Sequence, residues 1–427
     1  MRAAFATLGC KVNQAESAAM EGLLAGSGAE VVPFEEKADL YIINTCSVTA
    51  KSDYQSRQLV RKASRSGGQV IATGCYAELK QDELIKAAAG AALFISNQEK
   101  QHIVQFINHL PFNSTLSEPL SETSCSSPSR FFYSSSRSRA FLKVQDGCDS
   151  YCAYCIVPFA RGRSRSLPIN EALEAFNRLA EQGYQEVVFT GIHTGRYGRD
   201  FGTAYTLFNL VDKASQARPD IRIRLSSIEA EEFDPAFINM IQNRRLCPHL
   251  HIPLQSGSDE VLKLMNRKAS VAYFKELVLA AAKQAPGIAI GTDVITGLPG
   301  ESEKAFQMTY ELLETLPISY FHVFPFSSRP GTLAEQMKNQ VPVEVRKKRA
   351  ALLRQLSQKK QLAYTVSFYG KLLDVITEDT CDSSYLRGLS HNYLKVLVRK
   401  NGAQSFRQRI QARFADTVRG CPLCVIG

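Results

Sequence analysis

The chain has 427 residues, 22% charged and 44% hydrophobic, which suits a globular protein of two or three domains. No run of about 18 apolar residues occurs, so no membrane association is expected, and the N-terminal apolar stretch is too short for a signal peptide. A cytoplasmic protein is therefore expected. There, eleven cysteines argue for metal or redox roles over disulfides, and a formal charge of +10 suggests a polyanionic partner, most simply nucleic acid.

Residues 1–110 alternate strand-like and helix-like stretches. Strands are predicted at 5–8, 40–44 and 69–73, and helices near 13–27, 51–66 and 80–89. This order predicts a parallel, doubly wound α/β sheet. Cys10, Cys46 and Cys75 each fall just past a predicted strand's C-terminal end. Those ends share one edge, where open α/β sheets bind ligands. Three thiols distant in sequence can thus converge into a metal site. Coincidence is the competing reading, since cysteine often ends buried strands. Residues 111–139 hold eleven serines, three prolines and three arginines and read as a linker, with Cys125 a bystander.

Residues 140–335 return to alternation, with strands predicted at 140–145, 186–190, 221–227, 250–254, 288–295 and 320–325. Six βα units suggest a partial parallel (β/α)6 barrel, whose site belongs at the C-terminal strand ends. There, after the first strand, stands Gly147-Cys148-Asp149-Ser150-Tyr151-Cys152-Ala153-Tyr154-Cys155. Three soft thiolates this close suit a metal and are one short of a tetrahedral cage. The spacing also permits an inert stripe on a helix, although Gly147, Asp149 and Ser150 are loop and cap residues. A zinc site is the other alternative, without a fourth ligand at finger spacing. Polar residues, among them Ser226, Ser227, Glu229, Gln255 and Asp293, gather at the other strand ends. His249 and His251 share a strand face and are expected to serve as hydrogen-bonding groups.

Residues 336–366 form a predicted basic helix, with eight Lys or Arg against one Glu over 338–361, including Lys347, Lys348 and Arg349. It is either a solvated face or one turned toward phosphates. Residues 367–427 hold short β-like pieces at 371–377, 393–398 and 407–412, with nine basic against five acidic residues. A small β-barrel that tracks an RNA backbone fits them. The final Cys421-Pro422-Leu423-Cys424 stands at an expected frayed end, without an assigned role.

With Thr7-Leu8-Gly9-Cys10-Lys11-Val12-Asn13, Asn44-Thr45-Cys46-Ser47-Val48-Thr49, Gly74-Cys75-Tyr76, the Cys148–Cys155 run and Pro158-Phe159-Ala160-Arg161-Gly162-Arg163-Ser164-Arg165-Ser166 in view, the chain resembles the radical S-adenosylmethionine methylthiotransferases. The first motif and the last look most like the MtaB-type subgroup, which acts on N6-threonylcarbamoyladenosine beside the tRNA anticodon. Other subgroups act on isopentenyladenosine in tRNA or on a ribosomal protein.

The resemblance implies an N-terminal methylthiotransferase domain, a radical barrel and a C-terminal TRAM domain. It implies two 4Fe-4S clusters, a radical one on Cys148, Cys152 and Cys155 and an auxiliary one on Cys10, Cys46 and Cys75. It also implies two S-adenosylmethionine molecules per turnover, a one-electron reductant such as flavodoxin or ferredoxin, and a sulfur donor. The chemistry implied is a 5′-deoxyadenosyl radical that activates C2 of the adenine for methylthio transfer. Tyr154 is expected beside the cofactor adenine, with Ser226, Ser227, Glu229, Gln255 and Asp293 holding its polar atoms. Arg161, Arg163 and Arg165, with Lys347, Lys348 and Arg349, are expected to meet tRNA phosphates, or one arginine the cofactor carboxylate. Gly191-Ile192-His193 departs from the Gly-Glu pair with which many radical enzymes bind the cofactor amine, which leaves that contact unassigned. A non-catalytic, zinc-containing RNA-binding protein is the alternative of a different class.

Overall fold

The computed structural model describes residues 1–89, 92–109, 137–202, 205–400, 406–418 and 420–426. Most of the serine-rich stretch, with Cys125, lies outside the described residues.

The N-terminal sheet is parallel, with β1 (Arg2–Thr7), β2 (Glu30–Val32), β3 (Leu40–Thr45), β4 (Gln69–Gly74) and β5 (Ala92–Phe94) in the order β2-β1-β3-β4-β5. The order reverses between β1 and β3, and that crevice is the usual ligand position in such sheets. Cys10 and Cys46 follow the two strands that flank it, and Cys75 follows β4. The first helix, Lys11–Gly26, starts directly after Cys10. It buries residues all round, including the polar Asn13, Glu16 and Ser17. A helix buried on every face needs cover on both sides. Its own sheet gives one cover, and the central domain gives the other.

The central domain has six parallel strands and one short antiparallel piece. They are β6 (Ala140–Asp146), β7 (Arg165–Ser166), β8 (Glu186–Gly191), β9 (Arg222–Leu225), β10 (His249–His251), β11 (Ala289–Thr296) and β12 (Tyr320–Pro325). They form two sheets, β7-β6-β8-β9 and β10-β11-β12. Two backbone hydrogen bonds bridge the seam, Cys247 N to Ile223 O at 2.8 Å and Ile228 N to His251 O at 3.0 Å. The result is the expected partial barrel. Helices cover it through apolar stripes. On Ile169–Glu181 the buried Ala172, Phe176, Leu179 and Ala180 follow helical spacing, and Phe176 meets Phe189 of β8 edge-on at 5.7 Å.

The C-terminal domain is a closed barrel of β13 (Leu372–Thr380), β14 (Tyr385–Ser390), β15 (Lys395–Arg399), β16 (Arg409–Val418) and β17 (Cys421–Val425), ordered β13-β14-β15-β17-β16. The chain end is thus a barrel strand and not frayed. Cys424 is buried in the barrel core, and Cys421, three residues away, leaves on the other face of the strand. The turn after β14 packs under the central barrel. The Tyr393 ring stacks on His249 at 3.9 Å, and Ser390 O accepts from Arg224.

The long helix Val343–Val366 corrects one expectation. Arg349 is buried against Glu301 at 2.6 Å and Glu303 at 2.8 Å, so its charge is spent inside the protein and does not face phosphates. Lys347 and Lys348 are exposed. Among the described residues, no helix is long and apolar enough to cross a membrane.

Candidate active site

The loop that follows β6 carries Cys148, Cys152 and Cys155 and is not helical, so the three cysteines form no helix stripe. Its shape is set by Gly147, at φ +72°, where an added Cβ would lie 1.9 Å from Arg163 O. Only glycine lets the two chain segments pass so closely. Cys148 N donates to Gly162 O at 3.0 Å, and Ala153 N donates to Met265 O at 3.0 Å. The basic tail after the cysteines is therefore part of the loop's own scaffold.

An open cleft with a cavity volume of about 120 Å³ adjoins the loop. Cys148, Cys152, Tyr154, Cys155, Ile192, His193, Glu229 and Arg267 line it. Of these, Arg267 escaped the sequence reading, and His193 stood there only in place of a Gly-Glu pair. His193 Nδ1 lies 3.3 Å from Cys148 Sγ, and its Nε2 lies 2.7 Å from Glu232 Oε2. Burial opposes the imidazolium, but Cys148 and Glu232 outweigh it and raise His193 to about 9. Burial likewise opposes the Cys148 thiolate, and the His193 contact brings that thiol below its usual range. Arg267 grips Glu229 with both terminal nitrogens and points Nη1 at Cys152 Sγ, 3.9 Å away. The Glu229 carboxylate, which lines the cleft, is thus paired with Arg267.

Of the expected cofactor contacts, Tyr154 and Glu229 line the cleft. Ser226, Ser227, Gln255 and Asp293 do not. Ser226 Oγ bonds Thr194 Oγ1 at 2.8 Å, and Ser227 Oγ bonds His251 Nδ1 at 2.9 Å. Asp293 Oδ1 lies 3.0 Å from His322 Nδ1 and 3.4 Å from His251 Nε2. Gln255 holds a left-handed backbone at φ +68° beside β11.

The second trio converges at the N-terminal sheet's edge. A Cβ on Gly9 would meet Cys46 Sγ at 2.8 Å, so glycine makes room for that thiol. Cys46 feels the charges of Cys75 and Cys10, and burial pushes it up to about 11.

Arg161 joins the two trios. It is fully buried, with Nε donating to Cys75 Sγ at 3.3 Å, Nη1 to Glu16 at 2.8 Å and Asp146 at 2.9 Å, and Nη2 to Asn13 at 2.6 Å. Asp146 Oδ1 also accepts from Gly147 N at 2.8 Å, at the root of the other cysteine loop. Arg161 therefore contacts neither phosphate nor cofactor carboxylate, because its guanidinium is consumed between domains. Arg163 is exposed, and Arg165 is part-buried with Nη2 donating to Arg161 O at 3.1 Å.

Residues 2–96 match the uncharacterized protein family UPF0004, and residues 142–313 match the radical SAM superfamily. The chain is 36% identical to the threonylcarbamoyladenosine tRNA methylthiotransferase MtaB of Aquifex aeolicus, over 93% of this chain and 96% of that protein. It is 36% identical to the Bacillus subtilis protein of the same name, over 92% and 89%, and 37% identical to that of Thermotoga maritima, over 91% and 89%. The chain belongs to the MtaB-type methylthiotransferase family. Its fold is similar to the radical S-adenosylmethionine methyltransferase TsrM of Kitasatospora setae, with a TM-score of 0.56 and 13% identity over 78% of this chain and 77% of that one.

As an MtaB-type methylthiotransferase, the chain is a sulfur-transferring radical S-adenosylmethionine enzyme, and a non-catalytic zinc protein is excluded. The radical family's 4Fe-4S cluster and S-adenosylmethionine fit the loop after β6. Its three cysteines line one open cleft together, which suits a cluster held by three thiolates with a position left for the cofactor.

Proposed function

We propose that this methylthiotransferase places a methylthio group on C2 of N6-threonylcarbamoyladenosine at tRNA position 37. Supporting this are the N-terminal motif from Thr7 to Asn13, the names of the relatives, and the closed basic C-terminal barrel. One observation carries the two-site mechanism. Two cysteine trios from different domains are joined through Arg161 and Asp146, with no solvent layer at Arg161.

In this reading Cys148, Cys152 and Cys155 hold the radical 4Fe-4S cluster, and Cys10, Cys46 and Cys75 hold an auxiliary one. When bound, these groups supply reductive cleavage of one S-adenosylmethionine and the sulfur to be transferred, a second S-adenosylmethionine giving the methyl group. The chain's own residues hold and exclude. His193 donates toward Cys148 and favours its thiolate form, which a metal ligand requires. Burial holds the Cys152 thiol above its usual range, and Arg267, fixed by Glu229, acts against that burial. Tyr154 lines the cleft and packs against the apolar cluster of Ala153, Val261, Met265 and Leu298. Arg163, Lys347 and Lys348, all exposed, are the arginine and lysines that meet tRNA phosphates in this reading. A one-electron reductant and a sulfur donor complete the partners.

The test uses reconstituted holoenzyme with S-adenosylmethionine, a reductant and tRNA carrying either threonylcarbamoyladenosine or isopentenyladenosine. Nucleoside mass spectrometry should find the methylthio group on the first. Modification of the second, or of a ribosomal protein only, would overturn the substrate assignment.

A further inference from the structure

The inner wall of the barrel holds buried donor atoms that lack an acceptor among the described residues. Lys11 follows the cluster residue Cys10 and opens the helix that lies against β6. It is partly buried, and the charges that reach it are those of Arg139, Arg224, Glu186 and Asp293. Both carboxylates are engaged elsewhere. Glu186 accepts from Arg222 and from Arg224, at 2.8 Å from Arg224 Nε, with Arg139 at 3.6 Å. Asp293 Oδ1 faces His251 and His322.

Arg224 and His249 stand on neighbouring strands, and the Tyr393 ring packs against both, 5.2 Å from the guanidinium and 3.9 Å from the imidazole. Arg224 is fully buried, and its Nη1 has no hydrogen-bond partner among the described residues. His249, 1% exposed, gives Nε2 to the Tyr320 hydroxyl at 2.7 Å and leaves Nδ1 without a partner. Lys11, Arg224 and His249 lie within one another's electrostatic reach. Burial and the neighbouring charges of Arg224 and Lys11 keep the His249 ring neutral, so it can offer an N–H but no charge. Buried donor atoms without an acceptor are costly, and an anion here would accept from Lys11, from Arg224 Nη1 and from His249 Nδ1.

We propose that Lys11, Arg224 and His249 form an anion site that takes the carboxylate of the substrate base's N6-threonylcarbamoyl substituent. This rests on the substrate reading above. The site stands one lysine side chain away from Cys10, so a base held there by its N6 arm keeps its ring beside the sulfur-bearing trio. The other carboxylate in the reaction, that of S-adenosylmethionine, belongs at the Cys148 loop in the other domain.

The experiment compares anticodon stem-loops carrying threonylcarbamoyladenosine as the free acid and as its neutral methyl ester, bound to reconstituted holoenzyme. Wild type should bind the acid about tenfold more tightly, the worth of one charge-assisted hydrogen bond. Lys11→Met should reduce that preference to within about twofold, and Lys11→Arg should retain it. S-adenosylmethionine affinity should be unchanged in both variants. No acid preference in wild type overturns the site, and this arm needs no variant to load its clusters. A preference undiminished in Lys11→Met, or lost S-adenosylmethionine binding in its place, overturns it as well. Failure of the substrate reading is separately visible, as wild-type turnover on a different base.

Discussion

Glu16→Gln tests how the two domains are held together. Glu16 is buried and touches all three cations of the junction, with Lys143 at 3.0 Å, Arg161 at 2.8 Å, and Lys100. Burial works against its ionised form, but Arg161, Lys100 and Lys143 together hold it well below the usual carboxylate range. Three cations face two carboxylates, Glu16 and Asp146, and a Cys75 thiolate would make the balance even. The amide keeps the size and removes the charge, leaving three buried cations against Asp146 alone. Breaking a buried pair in this way costs about 3–5 kcal/mol. The chain has no tryptophan, so urea unfolding followed by circular dichroism is the suitable assay, with the shift read on the first transition. Adding Lys143→Met removes one surplus cation, so the double variant should lose less than the sum of the two single losses. A Glu16→Gln loss under about 1 kcal/mol, or full additivity with Lys143→Met, would refute the charge-balance argument.

Three further outcomes are expected. If both trios hold clusters as proposed, Gly147→Ala should cost the Cys148 site its iron and spare the site of Cys10, Cys46 and Cys75, because the new methyl collides with Arg163 O; iron and sulfide analysis reads this directly. Cys46→Ala should still cleave S-adenosylmethionine to 5′-deoxyadenosine yet yield no methylthio nucleoside, both measured by mass spectrometry. His391, which burial and the charge of Arg222 depress to about 4, stays neutral in the folded state while its unfolded counterpart protonates near 6.5. Stability should therefore be full above about pH 6.5 and decline as pH falls toward about 4, a slope that His391→Asn should flatten in pH-dependent unfolding.

The sequence made the framework readable where periodicity and strand ends do the work. Six strands of the barrel fall where alternation predicted them, and Cys10, Cys46 and Cys75 do share one sheet edge. Three-residue strands such as β2 and β5 carry too little pattern to be seen. The site's partners were harder, because each pairing spans domains or distant loops. Arg161 looked like one beat of a basic tail, yet its carboxylate partner Glu16 stands 145 residues away. Nothing local marks His193 as the neighbour of Cys148, although its position in place of a Gly-Glu pair was a signal that the cofactor's surroundings differ. Arg349 belonged to a run of like charges, and only the fold reveals which face of that helix is interior.

The turn from Ser390 to Tyr393 has a practical consequence. It stoppers the barrel at the N-terminal ends of β9, β10 and β12, where Tyr393 covers His249 and stands within 5.2 Å of the Arg224 guanidinium. Cutting away the last domain would therefore unplug the catalytic chamber as well as strip off a basic surface. Water would enter from below, and Glu186 and its arginines would be solvated. A truncated enzyme that no longer modifies RNA would thus say little about where RNA binds. Charge reversals on the outer face of the small barrel, which leave the stopper in place, separate the two effects.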